Sequence, residues 1–406
     1  MPDVLSVKTK RFQRLAFGIA LFAAIAESVC APVRVAATTT TQVRFYTSTV
    51  EIGHDEALAP PRLSAIDERG LTAFYRQMDK LPYKTLLASL QGRREQLGLN
   101  DWLYFRLMYL SVAKIYAEAT PVQRELLCWF LLAKSGFDAR LTYLGKRVFI
   151  NIYSTDEVFE APLIQDRGRS FVNISYYFGA KGNVGNSLYL LDFVPNEKGR
   201  PFSFYLTAIP ALPPADTLMQ FRFAYEGRTY HMELPVNRTV VDIMKGYPLI
   251  AEFQYLEIPF SASLSKKIAE TFQPWMEGKS QRQQLEMLAV FARSGFIYKE
   301  DRAIFGQNKP MVADEVLFYP QSDCEDRVAL MYNLVRLLLD LPMVVIAYPD
   351  HLSLAVALPD GQGDSVVYEG RRYLFCDPTG PVNSAEIGVI PKEYEQQPFE
   401  IIGRYK

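Results

Sequence analysis

Two blocks of helix-like sequence, each followed by strand-like segments, constrain the fold of this 406-residue chain most strongly. Apolar residues recur at helical spacing over residues 71–116 and 121–134, and strand-like segments with Pro and Gly turns follow over residues 139–258. Helical spacing returns over residues 263–272 and 281–294 and again after residue 324, with strand patterns behind it. Helices and strands segregated along a chain are typical of an α+β fold, which we therefore predict.

The strand-like block has a further implication for the middle of the chain. Its predicted strands include residues 202–207 and 251–258, and many short strands at this spacing favour a β-sandwich-like segment. An apolar content of 49% over this length favours about two or three domains. We expect the boundaries 38–180 for a helical and β domain, 181–261 for a β-rich segment and 262–406 for a C-terminal domain.

The N-terminus has the order of a secretory signal. Basic residues at positions 8–14 precede an apolar run over residues 15–26, and small residues follow, so we predict a signal peptide over residues 1–37. The apolar run is shorter than the roughly 20 residues that span a bilayer, so the mature form should have no membrane span. Residues 27–29 do not resemble a lipoprotein cleavage motif, so no lipid anchor is expected at Cys30. The expected location is the periplasm or the cell envelope.

Charge and histidine spacing exclude several functions. The chain has 44 basic and 45 acidic residues, so nucleic acid is not an expected partner. His54 and His231 have no partners at metal-ligand spacing, and a set formed by Cys324, His351, Cys376 and Asp377 would lack the usual zinc spacing. No glycine-rich loop suits a phosphate. We therefore expect no metal and no cofactor.

A free thiol is expected, and Cys324 is the candidate nucleophile. The chain has four cysteines, and removal of Cys30 with the signal peptide would leave an odd number. Ser322 and Glu325 fit a capping box that places Cys324 in the first turn of a helix, where amides and the helix dipole stabilise a thiolate. The alternative is an inert cysteine buried at a helix start, and the neighbouring Glu325 and Asp326 oppose the thiolate.

A base and an orienting carboxylate follow Cys324 in the sequence. His351 opens an alternating strand whose histidine-bearing face has small residues, which leaves room for a helix to pack closely. Asp377 ends another strand before Pro378, where its carboxylate could accept from an imidazole. A histidine in a surface turn and an ordinary Asp-Pro turn are the alternatives.

The stretch from residue 281 to residue 380 resembles the core of transglutaminase-like, papain-type cysteine peptidases, here as a bacterial exported member. The resemblance rests on Asp323-Cys324-Glu325-Asp326-Arg327, the apolar helix behind it, the strand with His351, and Tyr373-Leu-Phe-Cys-Asp377-Pro-Thr379. It implies a papain-like core at the C-terminus in which Cys324 is the nucleophile, His351 the general base and acid, and Asp377 the orienting group. It also implies a peptide or protein amide as substrate. The oxyanion partner stays open, since Gln321 and Tyr319 match no motif.

A duplicated core is a further hypothesis. Aligning Gly136 with Asp340 places Thr120 opposite Cys324 and Arg147 opposite His351, and a small slip places Ser175 opposite Asp377. The N-terminal half would then be a degenerate copy without the three catalytic groups. Chance similarity of two helix-then-sheet segments is the alternative, and a different strand order would exclude the duplication.

Two classes of function follow. The first is an exported thiol-dependent amide hydrolase or acyl transferase that works through a thioester. The second is a non-catalytic binding or scaffold protein of the cell envelope that retains the fold.

Overall fold

The N-terminal part of the chain forms a β-hairpin followed by helices. The computed structural model describes residues 38–179, 188–306, 309–359, 361–379 and 386–406, so the predicted signal peptide and Cys30 lie outside the described residues. Strands β1 (Thr38–Phe45) and β2 (Ser48–Asp55) pair antiparallel. Helices α1 (Glu68–Met78), α2 (Lys84–Leu97), α3 (Asp101–Ile115) and α4 (Pro121–Lys134) follow.

Helix α4 begins where the sequence predicts. The Gln123 amide donates to Thr120 Oγ1 at 3.3 Å, and the Thr120 amide donates to Gln123 Oε1 at 3.0 Å. This reciprocal cap satisfies two amides that have no partner inside the helix, and Pro121 has no N–H to leave unpaired. The Trp129 indole then donates to the Ala139 carbonyl at 3.0 Å, which fixes α4 against the first strand that follows.

The first five-stranded sheet follows α4. Its strands are β3 (Ala139–Leu144), β4 (Arg147–Tyr153), β6 (Leu163–Asp166), β7 (Arg169–Asn173) and β8 (Tyr189–Leu190). The short strand β5 (Val158–Phe159) lies between β4 and β6 in the sequence and is not part of this sheet. A 3₁₀ helix (Ile174–Phe178) leaves β7. The strand order is β6-β7-β4-β3-β8, and every pair is antiparallel.

The middle of the chain differs from the expected β-sandwich. It contains β9 (Asp216–Tyr225), β10 (Arg228–Asn237), α5 (Arg238–Met244), β11 (Leu249–Ile250) and α6 (Glu252–Glu257), and β9 with β10 is a two-stranded hairpin. Residues 202–207 join no ladder, although Phe202 and Phe204 are buried. Residues 252–257 are helical rather than extended. A short apolar run buries its side chains equally well in either conformation, so its periodicity does not decide between them.

The C-terminal part repeats the order of helices and then a sheet. Its elements are α7 (Ala262–Met276), α8 (Gln281–Ser294), β12 (Ile297–Tyr298), α9 (Asp301–Phe305), α10 (Ala313–Phe318), β13 (Gln321–Ser322), α11 (Cys324–Leu338), β14 (Met343–Ala347), β15 (Leu352–Val356), β16 (Ser365–Tyr368), β17 (Arg371–Phe375) and β18 (Glu400–Tyr405). The second five-stranded sheet has the order β16-β17-β15-β14-β18, again with antiparallel pairs throughout.

The two five-stranded sheets have the same connectivity. In each sheet, the first hairpin after the helix (β3–β4 or β14–β15) pairs with an edge strand that comes last in the sequence (β8 or β18). The next hairpin (β6–β7 or β16–β17) pairs with the other side of the first hairpin. We call α3, α4 and β3–β8 the first helix–sheet unit, and α8, α11 and β14–β18 the second. A different strand order would have excluded the duplication, and the orders are the same.

The strand registers define which residues correspond between the two units. Ala139 pairs with Ile152 as Met343 pairs with Val356, so Arg147 occupies the position of His351. Ile152 pairs with Val172 as Val356 pairs with Leu374, so Ser175 occupies the position of Asp377. The helix caps change one expected match. Thr120 caps α4 and Asp323 caps α11, so Pro121 rather than Thr120 corresponds to Cys324.

The mixed helix and strand content confirms the α+β class. Residues 37–406 form one compact unit, and a single core cluster includes apolar residues from all three segments predicted as domains. The boundaries at 180/181 and 261/262 stay predictions. Within the described residues, no helix combines the length and apolar character needed to cross a membrane.

Candidate active site

Cys324 is the first residue of α11 and is partly exposed. The cap of this helix is Asp323 and not Ser322, because the Asp323 amide donates to Asp326 Oδ2 at 3.3 Å. Ser322 lies instead in β13, where its hydroxyl accepts from Arg327 Nε at 3.2 Å. Ser and Asp are about equally good helix caps. Because Ser322 and Asp323 are adjacent, the predicted capping box lay one residue too early. Cys324 nevertheless lies in the first turn, as predicted.

The surroundings of the Cys324 thiol oppose its ionisation. Burial raises its pKa above the usual range, and the charge and hydrogen bonding of Glu325 add to this effect. The thiol donates to Glu325 Oε2 at 3.0 Å. A hydrogen bond from the Leu352 backbone amide acts in the opposite direction and stabilises the thiolate. The thiol is therefore protonated in the resting protein and needs a base to become a nucleophile.

His351 and Asp377 form a buried hydrogen-bonded pair. Nε2 of His351 lies 2.8 Å from Asp377 Oδ2, and the two side chains are 8% and 2% exposed. Burial on its own would raise the pKa of Asp377, but the hydrogen bond and charge of His351, with bonds from Thr379, lower it overall. Because an ionised carboxylate only accepts, His351 Nε2 carries the proton and Nδ1 is left as the basic nitrogen.

The fold brings the Cys324 thiol to the backbone of the residue that follows His351. The Leu352 amide that bonds the Cys324 sulfur belongs to the residue after His351, and α11 packs against β15. The helix packs against the opposite face from the one that the sequence predicts. Leu352, Leu354 and Val356 share the core cluster of α11, whereas Ala355 lies in a separate cluster on the other side of the sheet.

His351 and Asp377 are paired with each other, and the Cys324 sulfur lies at the backbone of the next residue, Leu352. Within the described residues the thiol bonds Glu325 and makes no hydrogen bond with the His351 ring.

Several residues around His351 and Asp377 were not found from the sequence. Tyr394 stacks on the His351 ring with centroids 4.5 Å apart and planes 12° from parallel. The Thr379 amide donates to Asp377 Oδ1 at 2.8 Å, and Arg293, which is 4% exposed, donates through Nε to the Asp377 carbonyl at 3.0 Å. Thr379 belongs to the quoted motif and could have been noticed. Tyr394 and Arg293 lie far along the chain, and no spacing links them to the site.

A cluster of carboxylates lies beside the thiol. Oxygens of Asp301, Asp323 and Glu325 lie within 4.8 Å of one another. Burial and the charge of Asp323 raise the pKa of Asp301 to about 6, and the same two causes raise that of Glu325 to about 7. Oxygen ligands at this separation could hold a hard divalent cation. The candidate ligand set considered from the sequence was Cys324, His351, Cys376 and Asp377, and it contains none of these three carboxylates.

Comparison of the chain with protein-family models, with curated proteins and with solved structures finds no match in any of the three. The interpretation of the site therefore depends on its own residues and geometry.

Proposed function

We propose that this protein is a thiol-dependent amide hydrolase or acyl transferase of transglutaminase-like type, with Cys324, His351 and Asp377 as its triad. The observation that supports the proposal is the His351–Asp377 hydrogen bond, next to a backbone amide that bonds the Cys324 sulfur. The Asp377 carboxylate fixes Nε2 of His351, and the amide next to His351 bonds the Cys324 sulfur. A buried imidazole held at one nitrogen by a carboxylate, with a thiol bonded to the next backbone amide along the chain, supports nucleophilic catalysis.

The proposed reaction proceeds in two halves. His351 Nδ1 takes the thiol proton, and the Cys324 sulfur bonds to the carbonyl carbon of an amide. The resulting imidazolium then gives its proton to the leaving nitrogen as the C–N bond breaks, which leaves a thioester. Water or an amine, deprotonated by His351, attacks the thioester and releases the thiol. First-turn amides of α11 have no partner inside the helix and suit the developing oxyanion.

One observation favours a second function, a non-catalytic binding protein that has retained the site. The raised pKa of the Cys324 thiol, with burial as its main cause, is typical of an inert structural cysteine. In this alternative, His351 and Asp377 would act as a structural pair. Export to the periplasm or cell envelope is proposed for either function, on the N-terminal sequence alone.

Iodoacetamide labelling distinguishes the two functions. In an enzyme, Cys324 should react faster at neutral pH than a cysteine in the denatured chain, because His351 accepts its proton. Cys324→Ser should abolish this labelling, since Cys128 and Cys376 are buried. His351→Ala should slow it by about tenfold or more, since general-base assistance contributes at least this factor.

The matched control is His231→Ala, which removes an exposed histidine from β10. It should leave the labelling rate unchanged. Labelling no faster than that of the denatured chain, or equal rates in the His351→Ala and wild-type proteins, would favour the binding protein.

A further inference from the structure

A cavity of roughly 510 Å³ lies in the first helix–sheet unit, at the place that corresponds to the triad of the second. Its wall includes the starts of α4 and β4 and the 3₁₀ helix, the three elements that correspond to the positions of Cys324, His351 and Asp377. A volume of this size is in the range of ligand sites. The first unit therefore retains a cleft although Pro121, Arg147 and Ser175 occupy the positions that correspond to Cys324, His351 and Asp377.

The substitutions in this cleft change its charge. Arg147 occupies the position of His351, and Ser175 occupies the position of Asp377. The carboxylate that neutralises the imidazolium in the second unit is thus replaced by a neutral hydroxyl, while a permanent cation replaces the histidine. Arg147 forms no ion pair with another residue in the described part of the chain.

Two further cations line the cavity beside Arg147. They are Arg124, whose Nη1 donates to the Ala117 carbonyl at 3.2 Å, and the exposed Lys146. Neither one forms an ion pair with a residue that the structure describes. The Arg147 guanidinium carbon lies 5.0 Å from the Phe149 ring centroid, an arrangement that orients the planar donor group.

One acid, Glu125, lines the same cavity and weakens its positive charge only in part. It accepts from the Ser175 hydroxyl, whose oxygen in turn accepts from the Ile150 amide at 2.8 Å. Burial raises the pKa of Glu125 to about 7, so below neutral pH it is mostly uncharged. Among its described lining residues, the cavity therefore has three cations against at most one anion.

We propose that this cavity binds the carboxylate groups of an acidic peptide, with Arg147 as the principal anchor. Arginine pairs with a carboxylate through two parallel hydrogen bonds, which suits a planar anion on a fixed guanidinium. The remaining wall includes Val112, Val122, Phe149 and Phe178, which can pack against the aliphatic parts of a peptide but offer nothing to a small inorganic anion. The proposal does not depend on Cys324 being catalytic.

Fluorescence polarisation with fluorescein-labelled tetraglutamate tests the proposal, with labelled tetraglutamine as the uncharged control peptide. The full chain is used with Cys324→Ala, so that turnover cannot consume the probe. We expect tetraglutamate to bind about tenfold or more tightly than tetraglutamine, because each charged hydrogen bond lost costs about that factor. Arg147→Ala should weaken tetraglutamate binding by a similar factor, and Arg147→Glu should abolish it.

The matched control is Arg222→Ala, which removes an exposed arginine from β9, outside the cavity. It should leave the affinity unchanged. Equal affinity for the two peptides, an equal loss in the Arg147→Ala and Arg222→Ala variants, or displacement of tetraglutamate by inorganic phosphate more readily than by acetate would overturn the proposal. Because the Arg147 side chain is exposed, its variants should unfold at the wild-type temperature, which separates lost binding from lost folding.

Discussion

Among single residues, Glu325 is the side chain that most strongly opposes ionisation of the Cys324 thiol. It follows Cys324 directly and accepts a hydrogen bond from the thiol at 3.0 Å. Burial and Asp323 raise the pKa of Glu325 to about 7, so this carboxyl gains its charge near neutral pH, where the thiolate would have to form. The charge of Glu325 and the ionisation of Cys324 therefore oppose each other.

Glu325→Gln tests this opposition. The substitution removes the negative charge and keeps the shape of the side chain, so the thiolate becomes less unfavourable. We expect the midpoint of iodoacetamide labelling at Cys324 to fall by about one pH unit, as removal of a neighbouring charge usually does. The measurement is the labelling rate between pH 5 and pH 10.

Glu277→Gln serves as the control for this change, since Glu277 is exposed at the end of α7. Its labelling profile should coincide with that of the wild type. A midpoint in Glu325→Gln that stays fixed or rises would show that Glu325 does not control the thiol.

Among the elements, one helix in each helix–sheet unit begins with the same capping device. Thr120 at α4 and Ser280 at α8 each form a complete capping box with a glutamine three residues later. The start of α4 lines the proposed peptide cavity, whereas α8 carries Arg293, which holds the Asp377 backbone. The same local device thus supports both helix–sheet units.

Thr120→Ala and Ser280→Ala form a matched pair of variants. Each removes the hydroxyl that accepts from the third amide of its helix, so each should lower the free energy of unfolding by about 1 kcal/mol. Denaturant unfolding measures this loss. Labelling of Cys324 should not change in Thr120→Ala, because α4 belongs to the other unit, and a change of several-fold there would contradict our separation of the two sites.

At the scale of the whole molecule, buried carboxyl groups govern how stability depends on pH. Asp314 is 1% exposed and accepts from the Ser261 amide at 3.1 Å. Burial raises its pKa to about 7, although the Ser261 hydrogen bonds lower it. The folded state therefore keeps the Asp314 proton up to about pH 7, whereas the unfolded chain releases it near pH 4. The contribution of Asp314 to the stability of the fold is complete below about pH 4. This contribution is lost as the pH rises through about 7.

Asp314→Asn should remove most of this dependence. Between pH 5 and pH 8 the wild type should lose stability as Asp314 ionises, whereas the variant should lose less. A shift of about three pH units corresponds to about 4 kcal/mol, which is the upper limit of the advantage of the variant at pH 8. Urea unfolding at both pH values measures it, with Glu277→Gln as the control. An equal loss in variant and wild type would assign the dependence to other groups.

Elements whose signals are local could be predicted from the order of the amino acids. Helix α4 and its cap, helix α8, strand β14 and the α+β class follow from apolar spacing and capping residues. The three residues of the triad could be chosen because a thiol at a helix start, a histidine at a strand start and an aspartate before a proline are each visible within a few positions. Local chemistry of this kind depends on neighbours along the chain.

Features that depend on contacts between distant segments could not be predicted in this way and are seen in the folded chain. Residues 202–207 join no β-ladder and residues 252–257 are helical, because burial against the common core does not require the strand conformation that their apolar pattern predicts. Tyr394 and Arg293 reach the triad only through folding. The correspondence of Arg147 with His351 was an alignment hypothesis, and strand register gave it a physical basis. Register is fixed by pairing across a sheet, which a single sequence does not record.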